Sequence, residues 1–521
     1  MSGGFITQLQ QALQDNRQAI CAVDWLESGK ESVTLTYGEL EHRALNLAAE
    51  LQRRFPEPAY GDRVVLGIAT RNSSDWLVAD LACLFAGITA LPLPLAFSQS
   101  QAEHLASRCD GFLVDAAGQR TLAQRWKLNF ADSRLRRLNE PVIEQPLLRM
   151  PDGEGDWICK IIHTSGTTSR PKGVRLSSQA VGTVLASLRQ SMPVGAHRRY
   201  LSLVPLSLLL EQVTAAYLPL LAGGTVHFLP PDEPLLGEPG ASAQRLVDWI
   251  LRVQPTALTV PPVMINRFLE QLNEGGEQGE RLARYLQSGA HITCGGAAVS
   301  IDALRGLAEQ GIEVYQGYGL SENASVVSVN TFEQQRLGSV GKPLPHVQVR
   351  IGADQTIEVK SSSLFSGYSG TDPSACSMSD DGWMDTGDLG ALDADGYLYV
   401  HGRKKNVICL PNGRNVSPEQ VELEYRKYPG VSDAAVFFDE QHGLVALLCV
   451  ESTPARDELL AWSAGRFSDI ERPNRLWLLT QDDPLLEQLY TVTGRPKRAD
   501  IATTFSTLQR NASNEHTCLS L

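Results

Sequence analysis

His163-Thr-Ser-Gly-Thr-Thr-Ser-Arg-Pro-Lys172-Gly173 packs five hydroxyl side chains, two glycines and two cations into eleven positions. Small hydroxyls and unhindered backbone N–H groups suit phosphate oxygens, and a lysine adds a point charge. The order is not the Walker pattern, which needs lysine directly after its second glycine. Residues 157–162 just before it are apolar enough for a buried strand. The plain alternative is a flexible polar surface loop, but the particular ordering favours phosphate binding.

Outward from this loop, the first third of the chain alternates helix and strand. Leu40, Ala44, Leu47, Ala48 and Leu51 fall at helical spacing after Thr36-Tyr37-Gly38-Glu39. Residues 64–68 and 89–93 are short apolar runs that read as buried strands, with a helix over 76–85 between them. Repeated β-α-β units imply a mostly parallel sheet covered by helices, with ligands at the carboxyl ends of its strands. Residues 134–156 lack strong periodicity and read as a linker. A turn-rich run holding Asp385, Asp388, Asp393 and Asp395 precedes Gly402-Arg403-Lys404-Lys405. Beyond it lie a helix over 418–428 and strands over 434–438 and 444–450, enough for a small separate domain. The expected architecture is therefore α/β. A large N-terminal domain of layered, mostly parallel sheets spans 1–403, a small mobile α+β domain spans 404–506, and a flexible tail spans 507–521.

The 521 residues carry 46 Lys+Arg against 59 Asp+Glu, a formal charge of −13. That balance argues against a nucleic-acid or anionic-membrane partner held by bulk charge, so a polyanionic ligand needs a local cluster of donors. Nine dispersed cysteines without a C-x-x-C pair read as reduced thiols of a cytoplasmic protein. The start shows no signal-peptide pattern. The most apolar stretch, 213–231, is broken by Pro219, Gly223, Gly224 and His227, which suits core better than a membrane span.

The loop at 163–173 resembles the signature loop of the adenylate-forming superfamily of acyl-CoA synthetases, amino-acid adenylation domains and firefly-type luciferases. The resemblance runs from about residue 35 to 501. It is carried in order by Gly295-Gly296-Ala297-Ala298, Tyr318-Gly319-Leu320-Ser321-Glu322, Thr386-Gly387-Asp388-Leu389, Gly402-Arg403-Lys404-Lys405 and Asn415-Val416-Ser417-Pro418-Glu419. It implies that Thr164, Ser165, Gly166, Thr167, Thr168 and Lys172 wrap the phosphates of ATP. Gly296, Ala297, Gly319 and Ser321 would line the nucleotide site. Gln316 would meet the adenine amino group and Tyr318 the adenine face. By the same resemblance Glu322 would hold Mg²⁺, as a hard oxygen ligand should. Asp388 would accept the ribose hydroxyls, with Arg403 beside them. Lys405 matches a hinge position, and Gly413 matches a glycine beside the thiol tunnel.

The segments 203–212 and 217–224 are similar to those of long-chain fatty acyl-CoA synthetases. No aspartate occurs from 200 to 216 to pair with a substrate ammonium, which disfavours an amino-acid substrate. An apolar acyl pocket drawing on Leu206, Leu208, Val260, Val263 and Gly317 is expected, with packing as the competing explanation. Two departures stand out. Leu208 follows Pro-Leu-Ser where the relatives carry histidine, and Arg495 follows Gly494 where the family carries its adenylation lysine. Arginine keeps the charge in a bulkier fork, and Lys497 is the alternative cation. The implied reaction is ATP-dependent conversion of a carboxylic acid to acyl-AMP, followed by acyl transfer to a pantetheine thiol. CoA is the default acceptor and an acyl carrier protein the rival. A nucleotide-binding homologue with little ligase activity is the alternative from another class.

Overall fold

The computed structural model describes residues 4–27, 29–56, 63–141, 156–163, 172–238, 240–297, 299–369, 378–410, 415–468, 471–491, 494–510 and 517–520. Two large sheets form the N-terminal body. A seven-stranded sheet runs in the order Tyr368–Ser369, Gly173–Ser177, Ile158–His163, Thr89–Pro92, Val65–Ala69, Gly111–Val114, Leu135–Arg137. A nine-stranded sheet carries Val314–Tyr318, His291–Cys294, Ala257–Val260, Arg199–Ser202, Thr225–Phe228 and Ile20–Trp25 side by side and in parallel. An antiparallel four-stranded sheet follows, ending in the pair Met384–Leu392 and Leu398–Arg403.

Local chemistry explains the elements that hold the site. The helix Tyr37–Arg54 opens with a reciprocal cap between Thr36 and Glu39, which satisfies two otherwise unpaired N-terminal donors. The Tyr37 hydroxyl donates to the Gly224 carbonyl at 2.7 Å and ties that helix to the apolar 213–231 region. That region is buried core, as its interruptions imply. It forms a wide helical turn over Gln212–Tyr217, the helix Leu218–Leu221 and the strand Thr225–Phe228.

Between the sheets Lys160 meets Asp80, and the Tyr217 hydroxyl donates to the same carboxylate. Lys160 also lies 5.7 Å from the Trp76 ring. This trio is fully buried and mutually satisfied. Glu211, on the first turn of the helical segment Leu209–Glu211, accepts from Ser202 Oγ at 2.6 Å and Leu203 N at 3.2 Å. Its other oxygen has no partner among the described residues. Burial pushes its pKa up to about 8, against the pull of those hydrogen bonds.

The small domain is built on Val431–Asp439, Gly443–Val450 and Arg475–Thr480. Its helix Pro418–Tyr425 buries Glu422, which Arg498 grips through both oxygens at 2.6 and 2.7 Å. Within 507–521, where a flexible tail is expected, two described stretches carry secondary structure. The last helix continues to Arg510, and Thr517–Ser520 adds a fourth strand against Arg475–Thr480. An edge strand with open backbone groups recruits such a segment through ladder hydrogen bonds. Cys21, Cys83, Cys109, Cys159, Cys294 and Cys449 are free and buried, and burial raises each thiol's pKa. No described helix is long and apolar enough to cross a membrane.

Candidate active site

The strands His291–Cys294 and Val314–Tyr318 run in parallel and deliver Gly295, Gly296, Gly317 and Tyr318 to one edge of the nine-stranded sheet. Backbone approaches fix the glycines there. A Cβ on Gly319 would lie 1.7 Å from the Ser325 carbonyl oxygen, so only glycine fits. Gly296 has φ +87°, a conformation glycine adopts without a steric cost.

Asp388 and Arg403 face each other across the Met384–Leu392 and Leu398–Arg403 pair. Arg403 Nε lies 2.8 Å from Asp388 Oδ1, and the Tyr318 hydroxyl donates to Oδ2 at 2.7 Å. Both oxygens of a buried carboxylate are therefore engaged. Burial and the neighbouring Asp388 hold the Tyr318 hydroxyl well above its ordinary pKa. Burial opposes the charge on Arg403, but Asp388, Tyr318 and Glu322 outweigh it and raise its pKa.

Glu322 sits in the short turn Ser321–Asn323 and accepts from the Tyr368 hydroxyl at 2.7 Å. Lys172 Nζ stands 4.9 Å from the centre of the same ring. Tyr368 was not among the residues singled out from sequence. It reaches the site because Tyr368–Ser369 pairs with the start of Gly173–Ser177, and no local pattern announces that contact.

The small domain contributes Arg495. Thr491 and Arg495 close a tight turn, with Thr491 N donating to the Arg495 carbonyl and Arg495 N to Thr491 Oγ1. Gly494 takes φ +72° within it. The guanidinium Nη2 donates to the Gly296 carbonyl at 2.8 Å. Desolvation and the nearby Arg403 lower the Arg495 pKa, while Asp388, Glu322 and Tyr318 raise it. Lys497 goes elsewhere: its Nζ donates to the Gln488 carbonyl at 2.9 Å on its own domain. Lys405 follows in the turn Lys404–Asn406. Desolvation lowers its pKa, as do Arg403, Arg495 and Lys172. Among the described residues, four cations thus act on one cleft that holds the carboxylates Glu322 and Asp388.

Gln316 is buried beside Cys294 in the strand register. Ala297 is exposed next to Gly296, and Ser321 is half-buried. Thr164, Ser165, Gly166, Thr167, Thr168 and Gly413 lie outside the described residues, as does Ala298. Among the described residues no cluster of three His, Cys, Asp or Glu side chains forms a closed metal cage. Glu322 alone fits Mg²⁺, which binds through one or two carboxylates and completes its shell with water and phosphate.

The expected acyl residues do not gather. Leu206 and Val260 are each 1 % exposed and belong to different hydrophobic cores, so packing accounts for them. Val263 is 50 % exposed. Leu208 lines a cavity of about 30 Å³ together with Thr70, His163 and Ser207, whose side-chain polar atoms lack partners among the described residues. A Cβ on Gly317 would stand 3.3 Å from the Ser328 carbonyl oxygen, so backbone closeness explains that glycine. His163, at the base of the hydroxyl-rich loop, is neutral, because burial pushes its pKa down to about 3.

The family model of AMP-binding enzymes matches residues 9–368. A long-chain-fatty-acid–CoA ligase of Mycobacterium bovis is 39% identical over 141 residues, which are 27% of this chain and 24% of the relative. The chain therefore spans about a quarter of that relative's length. A feruloyl-CoA synthase of an Amycolatopsis species is 28% identical over 470 residues, 84% of this chain and 89% of the relative. Among solved structures, the o-succinylbenzoate coenzyme A synthetase of Bacillus subtilis in complex with ATP and magnesium ion superposes with a TM-score of 0.74. It shares 22% identity, and the match covers 94% of this chain and 98% of that one. That likeness shows the same α/β architecture.

Proposed function

This chain belongs to the family of AMP-binding enzymes, and we propose that it is an acid–thiol ligase that activates a carboxylic acid with ATP. The single observation that carries this reading is the cation surplus of the cleft. Among the described residues, Lys172, Arg403, Lys405 and Arg495 act around Asp388 and Glu322, the latter just past the carboxyl end of Val314–Tyr318. A triphosphate needs such an excess, because its charge must be neutralised before an anionic nucleophile can approach.

The chemistry is a double displacement. A carboxylate oxygen attacks the α-phosphorus, the bond to the bridging oxygen breaks, and pyrophosphate leaves. The nucleophile is already ionised, so no general base is required. A thiol then adds to the acyl carbon, AMP departs, and the thiol proton passes to solvent. Glu322 would hold Mg²⁺, which when bound would supply charge neutralisation at the phosphates. Asp388 accepts the ribose hydroxyls, which requires Tyr318 or Arg403 to yield one of its contacts to that carboxylate. Arg495 clamps the reacting oxygens in place of the family's lysine, since its guanidinium already reaches the Gly296 carbonyl. Lys405 is the pivot about which the small domain turns between the two half-reactions, and Gly413 keeps the thiol-tunnel role that its motif position implies.

The acid has an apolar body. A medium or long aliphatic acid is the first reading, supported by the mycobacterial and feruloyl relatives only as far as an apolar chain or ring. CoA is the first acceptor and a carrier-protein phosphopantetheine the second. Carboxylate-dependent exchange of labelled pyrophosphate into ATP, across acetate to palmitate, aromatic acids and amino acids, tests the proposal. Exchange confined to apolar acids is the expected result. ATP binding with no exchange for any acid would leave a nucleotide-binding homologue in its place.

A further inference from the structure

The opposite edge of the nine-stranded sheet carries a second basic feature. Tyr200, Ala257 and His291 stand in one register row, so Arg199, Thr256 and Ala290 lie side by side where three parallel strands begin. Each strand is four residues long, which places this edge roughly 13 Å from the carboxyl ends. Here a groove of about 410 Å³ opens between the strand starts and the helix Gly276–Leu286. Leu251, Pro255 and Tyr285 form its buried floor, and the Tyr285 hydroxyl is spent on the Pro255 carbonyl at 2.8 Å.

Arg199, Arg281 and Arg284 line this groove, and among the described residues no acidic side chain does. Arg199 Nε donates to the Gln254 carbonyl and Arg284 Nε to the Glu280 carbonyl, which orients both side chains through neutral acceptors. None of the three has a carboxylate within ion-pair distance among the described residues, although Glu277 and Glu280 share the helix with two of them. Arg245 and Arg267 on the adjoining helices behave differently. Arg245 pairs with Glu233 at 2.9 Å and Arg267 with Glu274 at 2.8 Å. In a chain of formal charge −13, three converging uncompensated guanidinium groups are a local reversal of sign. Their planar forks match phosphate oxygens bidentately, and an apolar floor beneath them suits an organic body.

We propose that this groove binds a soluble organic phosphate carrying at least two phosphate charges, at a site separate from the nucleotide cleft. Isothermal titration of the full chain with inorganic pyrophosphate tests it. Three proteins are compared: the unsubstituted chain, Arg281→Ala/Arg284→Ala, and Lys172→Ala in the nucleotide cleft. The unsubstituted chain shows two binding events. The double variant loses one, by about tenfold or more in affinity, and retains pyrophosphate exchange into ATP, which shows that it is folded. Lys172→Ala keeps the groove event. Should the double variant not fold, Arg281→Gln gives the same reading, because among the described residues Arg281 makes no side-chain hydrogen bond or ion pair that the change would break. An identical titration for the unsubstituted chain and the groove variant overturns the proposal. Flotation with phosphatidylglycerol vesicles separates the sources of phosphate. Arginine-dependent flotation without groove binding of pyrophosphate would assign the site to lipid headgroups and also overturn it.

Discussion

Lys160 and Arg403 are each paired to an aspartate, Asp80 and Asp388, but the two surroundings differ in balance and in space. Lys160, Asp80 and Tyr217 lie wholly inside the sheet layers, with one cation and one anion that satisfy each other. Arg403 is 37% exposed and shares its cleft with three further cations. A balanced, closed trio has nothing left to offer a ligand. An unbalanced, open cluster is electrostatically incomplete until an anion arrives. Buried charge alone therefore does not mark a binding site; the surplus and the opening do.

Removing one half of the closed pair is the largest test of this contrast. Lys160→Met should cost about 3–5 kcal/mol of stability by stranding Asp80, read in urea unfolding, and Asp80→Asn on top should restore part of it. Nucleotide affinity of the folded fraction should stay unchanged; a loss would break the distinction. The complementary change is Arg495→Ala. Exchange activity should fall by about 100-fold or more with the melting temperature unaltered. Arg495→Lys should restore most of it. If Lys497→Ala abolishes exchange while Arg495→Ala does not, the assignment of the clamp is wrong.

Glu211 is a third kind of buried acid, one with neither a cation nor a full set of donors among the described residues. Its folded pKa of about 8 lies above the ordinary 4.5. Its contribution to stability is complete below about pH 4.5 and is lost as pH rises through 8. Glu211→Gln cannot ionise, so unfolding curves should shift in favour of the variant between pH 5 and pH 9. Parallel pH profiles would remove this acid from the account. The smallest effect belongs to Lys427 and Asp302, an ion pair at 3.3 Å between the small and large domains, with Asp302 52% exposed. Lys427→Ala should change stability by about 1 kcal/mol or less, and a larger loss would mean that this contact holds the domains together.

The strand before the loop, the capped helix after Thr36 and the small domain beyond Arg403 were all readable from periodicity and cap chemistry. Asp388, Arg403, Glu322 and Tyr318 were also visible as candidates, because ordered motifs carry them. Tyr368 was not, since its meeting with Lys172 and Glu322 depends on pairing between strands almost two hundred residues apart. The acyl candidates lie apart for another reason. Leu206, Val260 and Val263 are equally apolar in sequence, and only packing separates two core residues from one exposed on a helix. Of the groove arginines, helical spacing puts Arg281 and Arg284 together, but only the packing of their helix beside the strand starts brings Arg199 to them.

The sealed cysteines give the molecule a set of internal clocks. Cys21, Cys83 and Cys159 belong to the main core, Cys294 to the second and Cys109 to a third, while Cys449 lies in the small domain. Each thiol is both buried and held un-ionised, so alkylation must wait for its own region to open. Mass spectrometry of the labelled sites over time would then rank the regions by how often they come apart, without adding a single probe to the chain.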